Sequence, residues 1–226
     1  MGLSAKGKIM ISTDRKAWEQ EQRKQRIVEI AEAVFFKAGY DGATLPAIAE
    51  AAGYNKRTLY LYFKDKRDIF LAVVLRGLEG LREALEHALE GEVPDAGGLR
   101  ELATAFFDFS MNHPEYLDLI MVYESRYFIY HDRDASADPD SHLERCQQVS
   151  DEMARLVTAA IEAGMAGDRL KSELAPRQLM LILWGQIFGV MKIFRMRRRH
   201  FEAAFGIGRR ALFDHFVSMV ERSLTP

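Results

Sequence analysis

Apolar residues recur at intervals of three and four along nearly all of this 226-residue chain, and strand-like alternation is hard to find. That period matches the face of an α-helix, so the sequence predicts an all-α fold. Pro and Gly, at 6 and 16 residues, are too few for many turns and sit mainly where the period breaks. "GYDGAT" at 39–44 ends a first helix, and "GEVPDAGG" at 91–98 ends a long one begun near Lys66. "NHP" at 112–114 interrupts another and offers Pro114 to the first turn of its successor. A polar loop at 131–141, "GMAGD" at 164–168 and "FGIG" at 205–208 complete the punctuation. About nine helices follow.

The class of protein is bounded by what is missing. A single cysteine, Cys146, excludes an internal disulfide framework and fits a reducing, cytoplasmic setting. "MGLSAKGKIMIST" has no apolar core of secretory length, and Lys6 argues against myristoylation at Gly2. The longest apolar run, "LMLILWGQIFGVMKIF" at 179–194, spans ~24 Å as a helix against a ~30 Å hydrocarbon layer. Gln186 and Lys192 interrupt it, so a buried helix and no membrane partner are expected. The formal charge of −2 hides an asymmetry. Residues 1–66 hold 12 Lys/Arg and 8 Asp/Glu, whereas residues 67–226 hold 19 and 25. A basic end on an acidic protein suggests a surface for phosphates.

Two short helices within that basic end carry the clearest pattern. In "TLPAIAEAAG", Leu45, Ile48, Ala49 and Ala52 form one apolar stripe. Thr44 is placed to cap the N-terminus, and Pro46 costs no hydrogen bond in a first turn. Gly53 falls where a left-handed residue ends a helix, and Asn55 can cap the next one at Lys56. Helix, short glycine turn, helix is the helix-turn-helix layout. The second helix, in "NKRTLYLYF", divides its residues. Leu59 and Phe63 share a side, with Tyr62 on its shoulder, while Lys56, Arg57, Tyr60 and Leu61 occupy the opposite arc and Thr58 its edge. Cations beside an outward tyrosine suit a DNA groove. Lys64 and Lys66 near the next helix start could add phosphate contacts. The alternative is a structural helical hairpin with a solvated basic face.

"TLPAIAEAAGYNKRTLYLYFKDKRDIF" closely resembles the DNA-binding signature of the tetracycline-repressor (TetR) family of bacterial transcriptional regulators. The likeness covers about 45 residues, from "IVEIAEAVFFKAGYDGAT" through "KDKRDIF". It implies that Thr44 and Lys66 touch phosphates and that Lys56, Arg57, Thr58, Tyr60, Leu61 and Tyr62 line the DNA side of a recognition helix. Leu61 departs from the pattern, where an aromatic or histidine is frequent, and would offer only apolar contact. Asn55 replaces the usual serine or threonine but caps equally well. The expected domains are a three-helix DNA-binding domain at 14–65 and a larger helical domain at 66–226 for effector binding and dimerisation. A helix from about Lys66 to Glu90 would join them, with Ile69, Phe70, Val73 and Val74 toward the first and Leu81, Leu85 and Leu89 toward the second.

In the larger domain, 175–198 and 207–224 read as a homodimer pair. Leu179, Leu183, Gln186, Val190 and Ile193 make one stripe, and Met180, Trp184, Phe188 and Met191 a second. The second helix repeats this with Leu212, Phe216 and Met219 in one stripe and Phe213, Val217 and Val220 in another. A helix apolar on two sides needs two covers, its own core and a partner, and Gly185 and Gly189 would permit close approach. The basic "RMRRR" at 195–199 fits a helix C-terminus.

The candidate effector region is "FFDFSMNHPEYLDLIMVYESRYFIY", 106–130. If a helix runs from Glu115 to Tyr130, then Tyr116, Ile120, Tyr123, Tyr127 and Tyr130 share a narrow arc, with Phe106, Phe107, Phe109 and Met111 before it and Met121 and Phe128 on another side. Phe106, Phe109, Met121, Tyr123, Tyr127, Trp184 and Phe188 are the candidate ligand-lining residues, and core packing is the alternative for each. His142 and Cys146 at i, i+4 are too small a set for a structural metal, so neither metal nor cofactor is expected. No phosphate loop or nucleophile motif suggests an enzyme. The expected function is a DNA-binding transcriptional regulator, a repressor released from a near-palindromic operator by a small apolar or aromatic ligand. An activator of the same fold, and a ligand-binding or interaction protein whose helix-turn-helix does not read DNA, are the alternatives. The first twelve residues are expected to be a solvated tail, with a minor-groove arm as the alternative.

Overall fold

A computed structural model describes residues 4–90, 98–127, 138–197 and 200–225, with side chains from residue 15 onward. The sequence-based expectations for residues 1–3, 91–97, Phe128, Tyr130, His131, the first part of the 131–141 loop, Arg198 and Arg199 lie outside the described residues, as do those for the side chains of 4–14. Ten helices are described, one more than the sequence suggests. They are α1 (Ser4–Gly42), α2 (Leu45–Ala51), α3 (Lys56–Leu59), α4 (Lys66–Ala88), α5 (Leu99–Asn112), α6 (Pro114–Arg126), α7 (His142–Ala166), α8 (Pro176–Met196), α9 (Phe201–Phe205) and α10 (Arg209–Leu224). The described residues contain no strand.

The chain divides into two compact units, and their limits differ from the expected 14–65 and 66–226. The first unit holds residues 1–76 and 118–143; the second holds 77–117 and 144–226. The reason lies in the size of the first core. α1, α2, α3 and the turn that follows α3 supply Ile27, Val28, Ala31, Phe35, Ile48, Ala49, Leu59 and Phe63, all buried. That set is closed by Ile69, Phe70, Val73 and Val74 of α4, each fully buried. Phe35 meets Phe70 edge-on at 5.6 Å. Each of these side chains contributes about 1.5–3 kcal/mol of burial, so a unit ending at residue 65 would forfeit a third of its core. α1 breaks at Gly39, whose φ of 67° and ψ of 177° lie outside the helical range and favour glycine.

The second unit has its own core, in which Ile161, Leu170, Leu179 and Leu224 pack with Val157, Met165, Leu183 and Val220 around them. Phe107 stacks on Phe213 at 4.5 Å and meets Phe194 edge-on at 6.3 Å. Gly77 is required here by packing. A Cβ at that position would come within 2.6 Å of the Tyr116 ring, below any real contact. Arg100 of α5 ties to α10 through Glu221, with Nε donating at 2.8 Å. Pro114 opens α6 as the sequence predicts.

α8 has two unlike faces, but the sequence stripes are rotated by about one position. The residues it buries are Leu179, Ile187, Met191 and Phe194. Ile187 and Phe194 thus take core places, while Gln186 and Ile193 face outward. With apolar residues at nearly every position from 179 to 194, period alone does not fix which line faces inward.

Candidate nucleic-acid interface

The helix-turn-helix is built by caps. Thr44 has an extended backbone (φ −128°, ψ 151°) and its Oγ1 accepts from the Ala47 amide at 3.3 Å. Pro46 sits in the first turn of α2. Gly53 takes a φ of 69°, a left-handed value that a side chain resists, and the Tyr54 amide closes the turn on the Ala49 carbonyl at 2.9 Å. Asn55 then caps α3, its Oδ1 accepting from the Thr58 amide at 2.9 Å and the Thr58 hydroxyl at 3.1 Å. α3 is regular only from Lys56 to Leu59. It continues as a tighter turn, with the Leu61 amide on the Thr58 carbonyl and the Tyr62 amide on the Leu59 carbonyl.

The side chains separate as the spacing predicts. Leu59 and Phe63 are buried, and Thr58 and Tyr62 are half-buried. Lys56 and Arg57 are exposed, as are Tyr60 at 50% and Leu61 at 70%. Lys56 Nζ lies 5.6 Å from the centre of the Tyr60 ring, so cation and phenol form one outward surface. Thr44, at the N-terminus of α2, is also exposed. Thr58 differs from the rest, because its hydroxyl is already donated to Asn55.

Lys66 is engaged within the protein. Its Nζ donates to the carbonyls of Tyr40 at 2.9 Å and Ala43 at 3.0 Å and lies 4.5 Å above the Tyr40 ring. The cation thereby satisfies orphan carbonyls at the end of α1, where the helix dipole favours it. An ammonium has three donors, so one remains for a further acceptor.

Contacts distant in sequence hold this module in place, and no local signal announces them. Asp68 Oδ2 accepts from the Lys64 amide at 2.9 Å, and its Oδ1 lies 2.6 Å from His142 Nδ1. Burial raises the Asp68 pKa, but the hydrogen bonds from His142 and the Lys64 amide, with the neighbouring positive charges, outweigh it and hold the carboxyl below its usual range. His142 stacks on Phe63 at 6.0 Å. Arg126 grips Asp41 with two nitrogens at 2.9 and 3.0 Å, and that hydrogen-bonded pair lowers the Asp41 pKa. The Tyr127 hydroxyl donates to that of Tyr40 at 2.7 Å. Burial, and then this bond, push the Tyr40 pKa up to about 12.

The candidate ligand-lining residues fall into separate groups. Phe106, Trp184 and Phe188 meet in the second unit, with ring centres 5.4 to 6.3 Å apart. Phe109 is half-buried beside His113 at 5.0 Å. Tyr127 turns to Tyr40 and Phe70, each ring 6.0 Å away, in the first unit. Tyr123 is fully buried and Met121 half-buried. Sequence reasoning passed over the polar atoms of the second unit. Ser110, Gln147 and Ser150 are buried, and among the described residues Ser110 Oγ, Gln147 Nε2 and Ser150 Oγ have no hydrogen-bond partner. His142 is committed to Asp68, and burial pushes the Cys146 thiol pKa up. Among the described residues no group of three or more His, Cys, Asp or Glu could hold a metal ion.

Residues 27–73 match the sequence model described as bacterial regulatory proteins, tetR family. The chain is 33% identical over 90 residues to the HTH-type transcriptional activator FasR of Mycolicibacterium smegmatis, covering 40% of this chain and 41% of that protein. It is 28% identical over 109 residues to the HTH-type transcriptional repressor NicS of Pseudomonas putida, covering 48% and 51%. The chain thus spans about half the length, or less, of these curated relatives. The fold resembles the transcriptional regulator FadR of Bacillus subtilis in complex with stearoyl-CoA, with a TM-score of 0.63 over 86% of this chain and 96% of that one. At 17% identity that likeness speaks for the fold alone.

Proposed function

We propose that this chain, a member of the tetR family of bacterial regulatory proteins, is a sequence-specific DNA-binding transcriptional regulator that represses from a near-palindromic operator and is released by a small, mainly apolar or aromatic ligand. The observation that carries the reading is the outward face of Lys56, Arg57, Tyr60 and Leu61, held rigid by the buried Leu59 and Phe63. Lysine and arginine neutralise phosphates or reach guanine edges, while Tyr60 and Leu61 offer apolar contact such as a thymine methyl accepts. Thr44 and the free donor of Lys66 are the proposed phosphate contacts, Thr58 and Tyr62 the edge of the surface. A protein acting on chromosomal DNA works in the cytoplasm.

Homodimerisation through 175–198 and 207–224 belongs to the same reading. On α8, Ile182, Gly185, Gly189, Ile193 and Met196 follow i, i+3, i+7, i+11 and i+14 and are exposed. A Cβ at either glycine would meet nothing within 4 Å. Met219 of α10 is likewise exposed. By length and composition α8 is also a candidate to cross a membrane. Its opposite line, Leu179, Ile187, Met191 and Phe194, is buried in protein, and Gln178, Gln186 and Lys192 lie on the open side, which favours a partner helix over lipid. A twofold dimer would set two recognition helices about 34–36 Å apart.

The Phe106–Trp184–Phe188 cluster supports an apolar ligand in the second unit, with Ser110, Gln147 and Ser150 as candidate polar anchors. A ligand that prefers a dimer with misplaced recognition helices shifts the population and releases DNA. FasR is named an activator and NicS a repressor, so activation by the same fold is the second reading. Sequencing of genomic fragments retained by the purified protein, beside the Lys56→Ala/Arg57→Ala variant, tests the function. A near-palindromic site enriched by the wild type alone supports the regulator, and equal retention by both points to an interaction protein. Transcription from the recovered site then separates repression from activation.

A further inference from the structure

The net positive charge of the basic end does not come from the helix-turn-helix module as a whole, where Lys56, Arg57, Lys64 and Lys66 are offset by acidic residues. Residues 27–66 hold five Lys/Arg and five Asp/Glu, a net of zero. Residues 1–26 hold seven Lys/Arg and three Asp/Glu, so the whole excess of +4 lies upstream of the shared family module, which begins at residue 27. That charge is carried on a helix. α1 starts at Ser4, and residues 4–26 extend ~34 Å at 1.5 Å per residue, about ten base pairs of duplex.

The side chains divide by face. Ile27, Val28, Ala31 and Phe35 turn inward and are buried, and Lys24 lies 5.9 Å from the Phe63 ring. Arg15, Lys16, Arg23 and Arg26 are exposed and fall within an arc of about 100° on another side of the helix. Lys16, Arg23 and Arg26 have no ion-pair partner among the described residues. Arg15 pairs only with Glu19 at 2.9 Å, both exposed, a contact too weak in water to hold it. Three cations with no ion-pair partner among the described residues, and a fourth held only by a weak solvent-exposed pair, share one face of a helix and need a polyanion or bulk solvent.

We propose that this upstream face of α1 is a second DNA-contact surface, in which Arg15, Lys16, Arg23 and Arg26 bind phosphates flanking the site read by α3. The inference rests on the DNA-binding reading above, and it assigns a different task to a different element. The α3 face discriminates between sequences, whereas the α1 face adds affinity without discrimination and lengthens the footprint. Phosphate contacts of this kind release counterions, so their signature is salt dependence.

The test is binding of the full chain to a random-sequence duplex of about 40 base pairs, long enough for both elements, as salt is varied. The variant is Arg15→Gln/Lys16→Gln/Arg23→Gln/Arg26→Gln, since glutamine keeps helix propensity while removing charge. The proposal expects the slope of log K against log salt to fall by at least about two units per protomer, with a loss of affinity of about tenfold or more. A charge-preserving variant, Arg15→Lys/Arg23→Lys/Arg26→Lys, should keep the wild-type slope. An unchanged slope in the glutamine variant, with its helix content intact by circular dichroism, overturns the proposal. So does loss of binding to phosphatidylserine vesicles with duplex binding untouched, which would make the face a lipid surface. Because the duplex carries no operator, failure of the genomic selection contradicts the regulator reading and leaves this measurement to stand or fall alone.

Discussion

Asp68 joins His142 to the end of the recognition turn: one carboxylate oxygen lies 2.6 Å from His142 Nδ1, and the other accepts the Lys64 amide at 2.9 Å. The pair fixes the chain just after Phe63, the residue that anchors the outward face. Asp68 has a depressed pKa in the folded protein. Its contribution to stability is therefore full above the unfolded carboxylate value near 4 and is lost as the pH falls through the folded value. Asp68→Asn should destabilise by about 1–3 kcal/mol at pH 7 and by progressively less in acid. Urea unfolding across pH checks this, and a penalty independent of pH would mean that the charge plays no part.

Glu124 behaves in the opposite sense. Burial alone raises its carboxyl pKa to about 7. Folding then favours the protonated form, so its stabilising state is fully present below the unfolded value near 4.5 and is lost as pH rises through about 7. Glu124→Gln should be neutral near pH 4 and stabilising by about 1–3 kcal/mol at pH 8, allowing for its partial exposure. Urea midpoints at the two pH values decide it.

Lys66 combines a structural and a proposed functional role. Its ammonium holds the carbonyls of Tyr40 and Ala43, so Lys66→Ala should cost about 1–3 kcal/mol of stability as well as weaken DNA binding. The weakening should be similar for every DNA sequence and reduce the salt slope by about one unit. Altered sequence preference with an unchanged slope would remove it from the phosphate contacts.

The open line of α8 gives a prediction on assembly. Ile193→Asp/Met219→Asp places charges on the exposed residues of both helices and spares the buried line. The variant should sediment as a monomer, with unchanged helix content, and bind a two-half-site duplex with a large loss of affinity. A dimer of wild-type stability would place the interface elsewhere.

What was legible in the sequence follows the range of the interactions. Thr44, Gly53, Asn55 and Pro114 act on backbone within a few residues, and each does what its chemistry predicts. Leu59 and Phe63 separate from Tyr60 and Leu61 because one short amphipathic turn has only one way to bury itself. α8 is apolar almost all round, so its inward line depended on partners that period does not reveal. The links from Asp41 to Arg126, Tyr40 to Tyr127 and Asp68 to His142 span 85, 87 and 74 residues, and nothing local marks them. The first unit took in part of α4 because its core required Phe70 and its neighbours, a matter of volume and not of punctuation.

The most direct test of the central claim is the specificity ratio: affinity for the site recovered from genomic DNA over affinity for random duplex, for wild type and for Lys56→Ala/Arg57→Ala at the same salt. If the outward face of α3 reads DNA, the wild-type ratio is about 10³ or more and the variant's collapses toward one. A ratio near one for the wild type, or an equally high ratio for both proteins, would contradict the account.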